Sequence, residues 1–218
     1  MSNHNKTPIF PDSYTGKNSL EYENSIWMER NQKKTTLICL QYLYDEKLNN
    51  LGIQDRLIEK PYLIVDLGCG TGFSSEILVE KGYRVIGIDI LMDMLSKAKT
   101  KKKRFNNEKK FELILADINH LPIKQASIDH IISISAYNFI IHGKDHFRDL
   151  STTVNNTARY LRNILRPNGR IVIEFYPKDD RELDIFSSSF KDNGFDGFVI
   201  KKDSNQKSGQ TFLILRKR

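Results

Sequence analysis

The stretch Asp66-Leu-Gly-Cys-Gly-Thr-Gly72 decides the fold. It follows the apolar run Tyr62-Leu-Ile-Val-Asp66, which reads as a buried strand, and it precedes a helical pattern at 73–81. A strand, a glycine-rich turn and a helix form a nucleotide-binding arrangement: glycine lets backbone approach a ligand closely, and the helix offers free N–H groups. The spacing is not the dinucleotide fingerprint, because Gly70 is followed by Gly72 and position 73 is Phe. Nor is it a P-loop, since no Gly-Lys-Ser/Thr follows.

Working outward, strand candidates fall at 62–66, 83–88, 111–116, 128–134 and 169–176, with helix candidates at 73–81, 91–104 and 146–165 between them. Pro167-Asn168-Gly169 stops the last of these helices. A further helix at 179–192 precedes strands near 196–200 and 211–216, joined by a turn-like stretch at 203–209. Such alternation predicts an α/β fold with a mostly parallel seven-stranded sheet, helices on both faces and a C-terminal antiparallel hairpin. Residues 1–20 are polar and turn-rich and are expected to form a loosely structured arm that orders against substrate or core, and 24–49 a helix. Residues 1–50 then cap a core domain of 51–218.

Two further strands end in acids: Val85-Ile-Gly-Ile-Asp89 and Leu113-Ile-Leu-Ala-Asp117. A carboxylate at the second strand end suits a ribose diol. Each acid alone reads more simply as a turn or cap carboxylate, but acids at successive strand ends in register with a glycine loop resemble the cofactor site of S-adenosylmethionine-dependent methyltransferases. Resemblance to methyltransferases implies that Asp66, Gly68, Cys69, Gly70 and Gly72 surround the methionine part of that cofactor. It also implies that Asp89 and Ile90 meet the ribose, that Asp117 and Ile118 meet the adenine, and that the strand containing Ser133 runs beneath.

Several loop words carry a narrower likeness. Gly70-Thr-Gly-Phe-Ser-Ser-Glu-Ile-Leu78, Ile132-Ser-Ile-Ser-Ala136, Phe175-Tyr-Pro-Lys178, Asn193-Gly-Phe-Asp-Gly197 and Tyr22-Glu-Asn-Ser25 resemble the eukaryotic-type methyltransferases of guanine N7 in small-subunit (18S) ribosomal RNA. That family has the class I, Rossmann-like methyltransferase fold, so the resemblance implies the same fold here. An aromatic Trp usual in that family is here Phe139. Guanine N7 has a lone pair and no proton to lose, so no general base is expected, and the enzyme must mainly position the base. Tyr137, Asn138, Phe139, Tyr176 and Pro177 are candidates for that pocket. Core packing at a strand end is the other reading of Tyr137 and Phe139. The resemblance also implies a small zinc-binding activator protein as a heterodimer partner. Strand 111–116, apolar and expected at a sheet edge, is the candidate docking strand. Any zinc then belongs to that partner, since the histidines here have no metal-ligand spacing.

The bulk properties agree with this reading. The 218 residues suit one full-sized core, the net charge is +7 and the pI about 9.3, which fits a polyanionic partner such as RNA. The lysine run within 97–110 is either a solvated helix end or a phosphate-tracking patch. The cysteines, Cys39 and Cys69, read as reduced thiols of an intracellular protein. The polar first thirty residues lack the pattern of a secretory signal. The close at Lys217-Arg218, without the family's basic extension, leans toward an archaeal-type cytoplasmic protein; a eukaryotic source implies the nucleus. A tRNA or small-molecule methyltransferase on the same fold is the main alternative, and a non-catalytic assembly factor the other.

Overall fold

The computed structural model describes residues 9–48, 62–104, 110–144, 146–202 and 210–218. A turn of 3₁₀ helix at Asp12–Tyr14 leads into α1 (Gly16–Glu23) and α2 (Ile26–Leu43), with a second 3₁₀ turn at Glu46–Leu48. Then follow β1 (Leu63–Leu67), α3 (Phe73–Glu80), β2 (Arg84–Asp89), α4 (Met92–Lys102), β3 (Phe111–Leu115) and β4 (Ile128–Ile134). After a 3₁₀ turn at Tyr137–Ile141 come α5 (Phe147–Ile164), β5 (Leu165–Phe175), α6 (Asp180–Asp192), β6 (Phe195–Lys202) and β7 (Gln210–Lys217).

The sheet has seven strands in the order β3-β2-β1-β4-β5-β7-β6. β1 to β5 run parallel, and β7 runs antiparallel between β5 and β6. Residue parity divides the core. Val65, Ile131, Ile171 and Ile173 face α5 and α6, where they meet Ala158, Leu161, Phe186 and Phe190. Ile64, Ile132, Val172 and Ile214 face the other side and share a cluster with Leu78 of α3 and Cys39, Leu40 and Leu43 of α2. Strands buried on both faces explain why the sequence shows apolar runs rather than alternation. α5 buries Val154, Thr157, Ala158, Leu161 and Ile164, a stripe at helical spacing.

Caps set the helix starts. Ser25 accepts from the Met28 N–H at the start of α2, and Asp179 accepts from the Glu182 N–H at the start of α6.

The structure departs from the sequence expectations in three places. Of the arm, 9–23 is ordered against the core rather than loose. It forms a 3₁₀ turn and α1, held by tertiary contacts: the Gly16 N–H donates to Asp93 at 2.7 Å, and Glu23 pairs with Lys101 at 2.6 Å. The helix expected over 24–49 ends at Leu43. The strand expected over 169–176 starts at Leu165, because the register slips between Ile128 and His130 and takes up the Pro-Asn-Gly turn as an irregularity within β5. The expected turn at 203–209 and positions 1–8 lie outside the described residues.

Candidate active site

Strand order reverses at β1, which has β2 on one side and β4 on the other. That crevice, at the C-terminal strand ends, is where open α/β sheets bind ligands. Here a cleft of about 1240 Å³ opens there, and the loops after β1, β2, β3, β4 and β5 together with α1 and α2 supply its walls. The volume exceeds the roughly 300–1,000 Å³ usual for one small ligand, so it has room for a cofactor and an acceptor together.

The glycine loop forms one wall. Gly68 lies at φ +70°, and a Cβ there would stand 2.2 Å from the Cβ of Ala136, so only glycine lets the loops after β1 and β4 touch. The Gly68 and Cys69 N–H groups donate to the Ile88 carbonyl, which fastens the loop to β2. Gly70, at φ +55°, donates its N–H to Asp89 at 2.9 Å.

Asp89 accepts a second bond from the Leu91 N–H at 2.9 Å, and burial raises its carboxyl above the ordinary range. It lines the cleft beside Ile90. Asp117 and Ile118 line it too, and the Asp117 carboxylate is fixed by the backbone and side-chain N–H groups of Asn119. Gly68, Cys69 and Gly70 complete this half; burial raises the Cys69 thiol well above its usual value.

Three expected cofactor contacts sit elsewhere. Asp66 is 1% exposed and lies behind the loop rather than in the cleft wall. Its Oδ2 accepts from the Ser74 and Ser75 hydroxyls at 2.6 Å each, so it pins the start of α3. Burial pushes its carboxyl up to about 6, against the pull of those two hydroxyls. Gly72, at the N-cap of α3, packs against Ala98 outside the wall. Ser133 is fully buried, and its hydroxyl donates to the Leu67 carbonyl, tying β4 to β1.

The acceptor candidates also divide. Phe139 and Tyr176 line the cleft. Tyr137 does not: it is fully buried, packs on Phe186 and Phe190, and belongs to the core. Asn138 lines the cleft, but its amide is engaged on both sides, donating to the Tyr176 carbonyl and accepting from the Tyr176 N–H. It clamps the loops after β4 and β5 together rather than offering its amide to a base edge. Pro177 stands outside the wall.

Sequence reasoning missed two groups. The first comes from the N-terminal segment: Phe10, Tyr14, Tyr22, Trp27 and Gln32 line the cleft. Its signal was the density of rings in an otherwise polar arm. The second is a polar floor. Glu174, fully buried at the end of β5, accepts from the Ser135 N–H and hydroxyl at 2.8 and 2.7 Å and from the Gln210 amide at 3.4 Å. Ser135, Gln210 and Tyr176 carry that network to the cleft surface.

Within the lysine run, two side chains are engaged by the protein itself. Lys101 is buried, pairs with Glu23, donates to the Thr71 carbonyl at 3.1 Å and lies 3.5 Å from the Phe73 ring centroid. It is a strut between α1 and the glycine loop, not a phosphate contact. Lys102 pairs with Glu112 at 3.0 Å, and 105–109 lie outside the described residues.

A family model described as a methyltransferase domain matches residues 65–173, half of the chain, and the protein belongs to that family. Two solved structures with the same architecture are the Synechocystis magnesium protoporphyrin IX methyltransferase with bound SAM and the Pyrococcus horikoshii protein PH0226. The first has a TM-score of 0.65 at 17% identity, covering 95% of this chain and 94% of that one. The second has a TM-score of 0.64 at 19% identity, covering 91% and 99%. Among curated proteins, the chain is similar to the 18S rRNA (guanine(1575)-N(7))-methyltransferase of Saccharomyces cerevisiae, 29% identical over 196 residues, covering 89% of this chain and 64% of that protein. It is also similar to the Bos taurus 18S rRNA (guanine-N(7))-methyltransferase, 28% identical over 157 residues, covering 72% and 54%. The chain thus spans less than two thirds of the length of these relatives. Both are eukaryotic, and neither supports the archaeal-type cytoplasmic expectation.

Proposed function

We propose that this protein is an S-adenosylmethionine-dependent methyltransferase that methylates guanine N7 in small-subunit ribosomal RNA during ribosome biogenesis. The observation that carries the reading is the likeness to the yeast 18S enzyme over 89% of the chain, which runs well beyond the matched domain.

The cleft residues fit the cofactor. Gly68 and Gly70 present backbone without a Cβ, Asp89 offers a fixed carboxylate suited to a diol, and Asp117 and Ile118 suit a flat ring beside a polar edge. When bound, S-adenosylmethionine supplies an activated methyl group on sulfur. The chain's own work is to hold the acceptor base in line with that methyl, keep water away and tolerate a cationic product. N7 needs no proton removed, so the burden falls on Phe139, Tyr176 and the loops that Asn138 clamps together.

The partner reading rests on β3. This strand forms one edge of the sheet, pairs with β2 alone among the described strands, and leaves Leu115 49% exposed. An apolar edge invites strand addition by another chain, and a small zinc-binding activator is the proposed occupant. The eukaryotic relatives support action in the nucleus. Among the described residues, no helix is long and apolar enough to cross a membrane.

The test is methyl transfer from labelled cofactor to purified small ribosomal subunits, with and without the co-expressed activator, followed by nucleoside analysis. Label in 7-methylguanosine is the expected result. Cofactor binding with no label in ribosomal RNA would overturn the substrate and direct the search to tRNA and small acceptors.

A further inference from the structure

Rings gather at the cleft mouth that neither the sheet nor the glycine loop requires. Phe10 lies against Phe139 with centroids 4.7 Å apart and planes 22° from parallel. Tyr14 meets Phe139 edge-on at 5.6 Å, and His142 meets Phe10 edge-on at 5.2 Å. All four line the cleft, and none belongs to either buried core cluster. Phe139 sits on the 3₁₀ turn after β4, whereas Phe10 arrives on the N-terminal segment just before Asp12–Tyr14.

We infer that Phe10 and Phe139 are the two jaws of a clamp for the acceptor base, with Tyr14 and His142 closing its sides. The inference deepens the guanine-N7 reading and rests on it. A base grips a protein ring by stacking on its face, and Phe10 already stacks on one face of Phe139 within the cleft. Two rings that hold a base between them must stand roughly 7 Å apart, twice a carbon–carbon contact. From 4.7 Å, Phe10 has only to withdraw by about 2–3 Å. Phe10 precedes the Gly16 N–H to Asp93 bond that ties the arm to α4, and no strand pairing runs through 9–15, so a shift of the Phe10 ring breaks no sheet ladder. Phe10 is thus a place-holder that becomes the opposite jaw.

The chemistry of the acceptor selects such a box. Methylation at N7 uses the ring lone pair to form the new N–C bond while the C–S bond breaks, so the base gains a positive charge and the sulfonium loses its own. Aromatic faces attract cations, and a two-faced clamp therefore favours the base as its charge develops. The clamp selects a flat heterocycle that turns cationic over one that stays neutral.

The test uses the full chain saturated with S-adenosylhomocysteine. Binding of 7-methylguanosine and of guanosine is followed by the fluorescence of Trp27, the single tryptophan, which lines the same cleft. Wild type is expected to bind 7-methylguanosine more tightly than guanosine. Phe10→Ala is expected to weaken 7-methylguanosine about tenfold, the loss of one stacked ring, with Phe10→Tyr close to wild type and cofactor affinity within about twofold. The KM for small-subunit RNA should rise by a similar factor. Unchanged or tighter nucleoside binding in Phe10→Ala, an equal loss of cofactor affinity, or no preference for the cationic nucleoside in wild type would each overturn the clamp. No label in RNA with wild type, alongside the expected nucleoside data, would strike the ribosomal reading and leave the clamp standing.

Discussion

The Cβ that Gly68 lacks would lie 2.2 Å from the Cβ of Ala136, so the loop that opens the cleft and the loop that follows β4 are packed to contact at a single point. Gly68→Ala brings that clash together with a left-handed backbone at φ +70°. The expected cost is about 2 kcal/mol or more, read as a lower midpoint of thermal denaturation, with cofactor binding reduced in parallel. The double variant Gly68→Ala with Ala136→Gly removes the opposing atom and should recover part of the loss. Equal stability of the single and double variants would show that the close approach is not the cause.

Asp66 ties its predicted importance to a different task. Its carboxyl, raised by burial to about 6 from an ordinary 3.8, binds its proton more tightly in the folded chain than in the unfolded one. Between about pH 4 and 6 the native state therefore carries more protons. The group's contribution to stability is full below that window and falls as pH climbs through 6, by roughly 2–3 kcal/mol. Asp66→Asn cannot ionise and should flatten this decline in denaturant midpoints measured from pH 4 to 7. A wild-type slope in the variant would contradict the assignment.

How much of this was legible follows from where the information resides. The strand–glycine–helix unit and the acids at the ends of β1 and β2 and just beyond β3 are local patterns, and the sequence shows them directly. Whether a residue at such a spot faces the cleft depends on packing from another element. Asp66 turns inward because Ser74 and Ser75 offer hydroxyls, and Tyr137 turns inward because α6 brings Phe186 and Phe190. The sequence suggests an N-terminal cap, but what fastens it could not be read, for the same reason. α1 has a weak apolar pattern of its own and is held by Asp93 and Lys101 of α4, far away along the chain. Glu174 looked like any strand residue until β7 placed Gln210 beside it.

Lys101 provides a test that separates charge from structure. It is tied to Glu23, Thr71 and the Phe73 face, so Lys101→Met should loosen the N-terminal cap and lower stability by roughly 1–3 kcal/mol, discounted because Glu23 is partly exposed. The salt dependence of RNA binding should keep its slope, since a buried lysine releases no counterion from the nucleic acid. A shallower slope in Lys101→Met would restore the phosphate-contact reading.

The edge strand gives the last expectation. Leu115 is the end residue of β3 and half-exposed, while Glu112 near the strand's start pairs with Lys102 of α4. In the isolated chain a charge at position 115 meets solvent, so Leu115→Lys should leave the denaturation midpoint within about 0.5 kcal/mol of wild type. A partner strand laid along β3 would instead have to bury that ammonium, which blunts strand addition. Co-expression with the activator should therefore raise the yield and stability of wild type and fail to do so for Leu115→Lys, read by co-purification of the two chains. Equal recovery of the complex with both proteins would place the partner's contact away from β3. A wild-type chain that is stable and fully active alone would remove the need for such a partner.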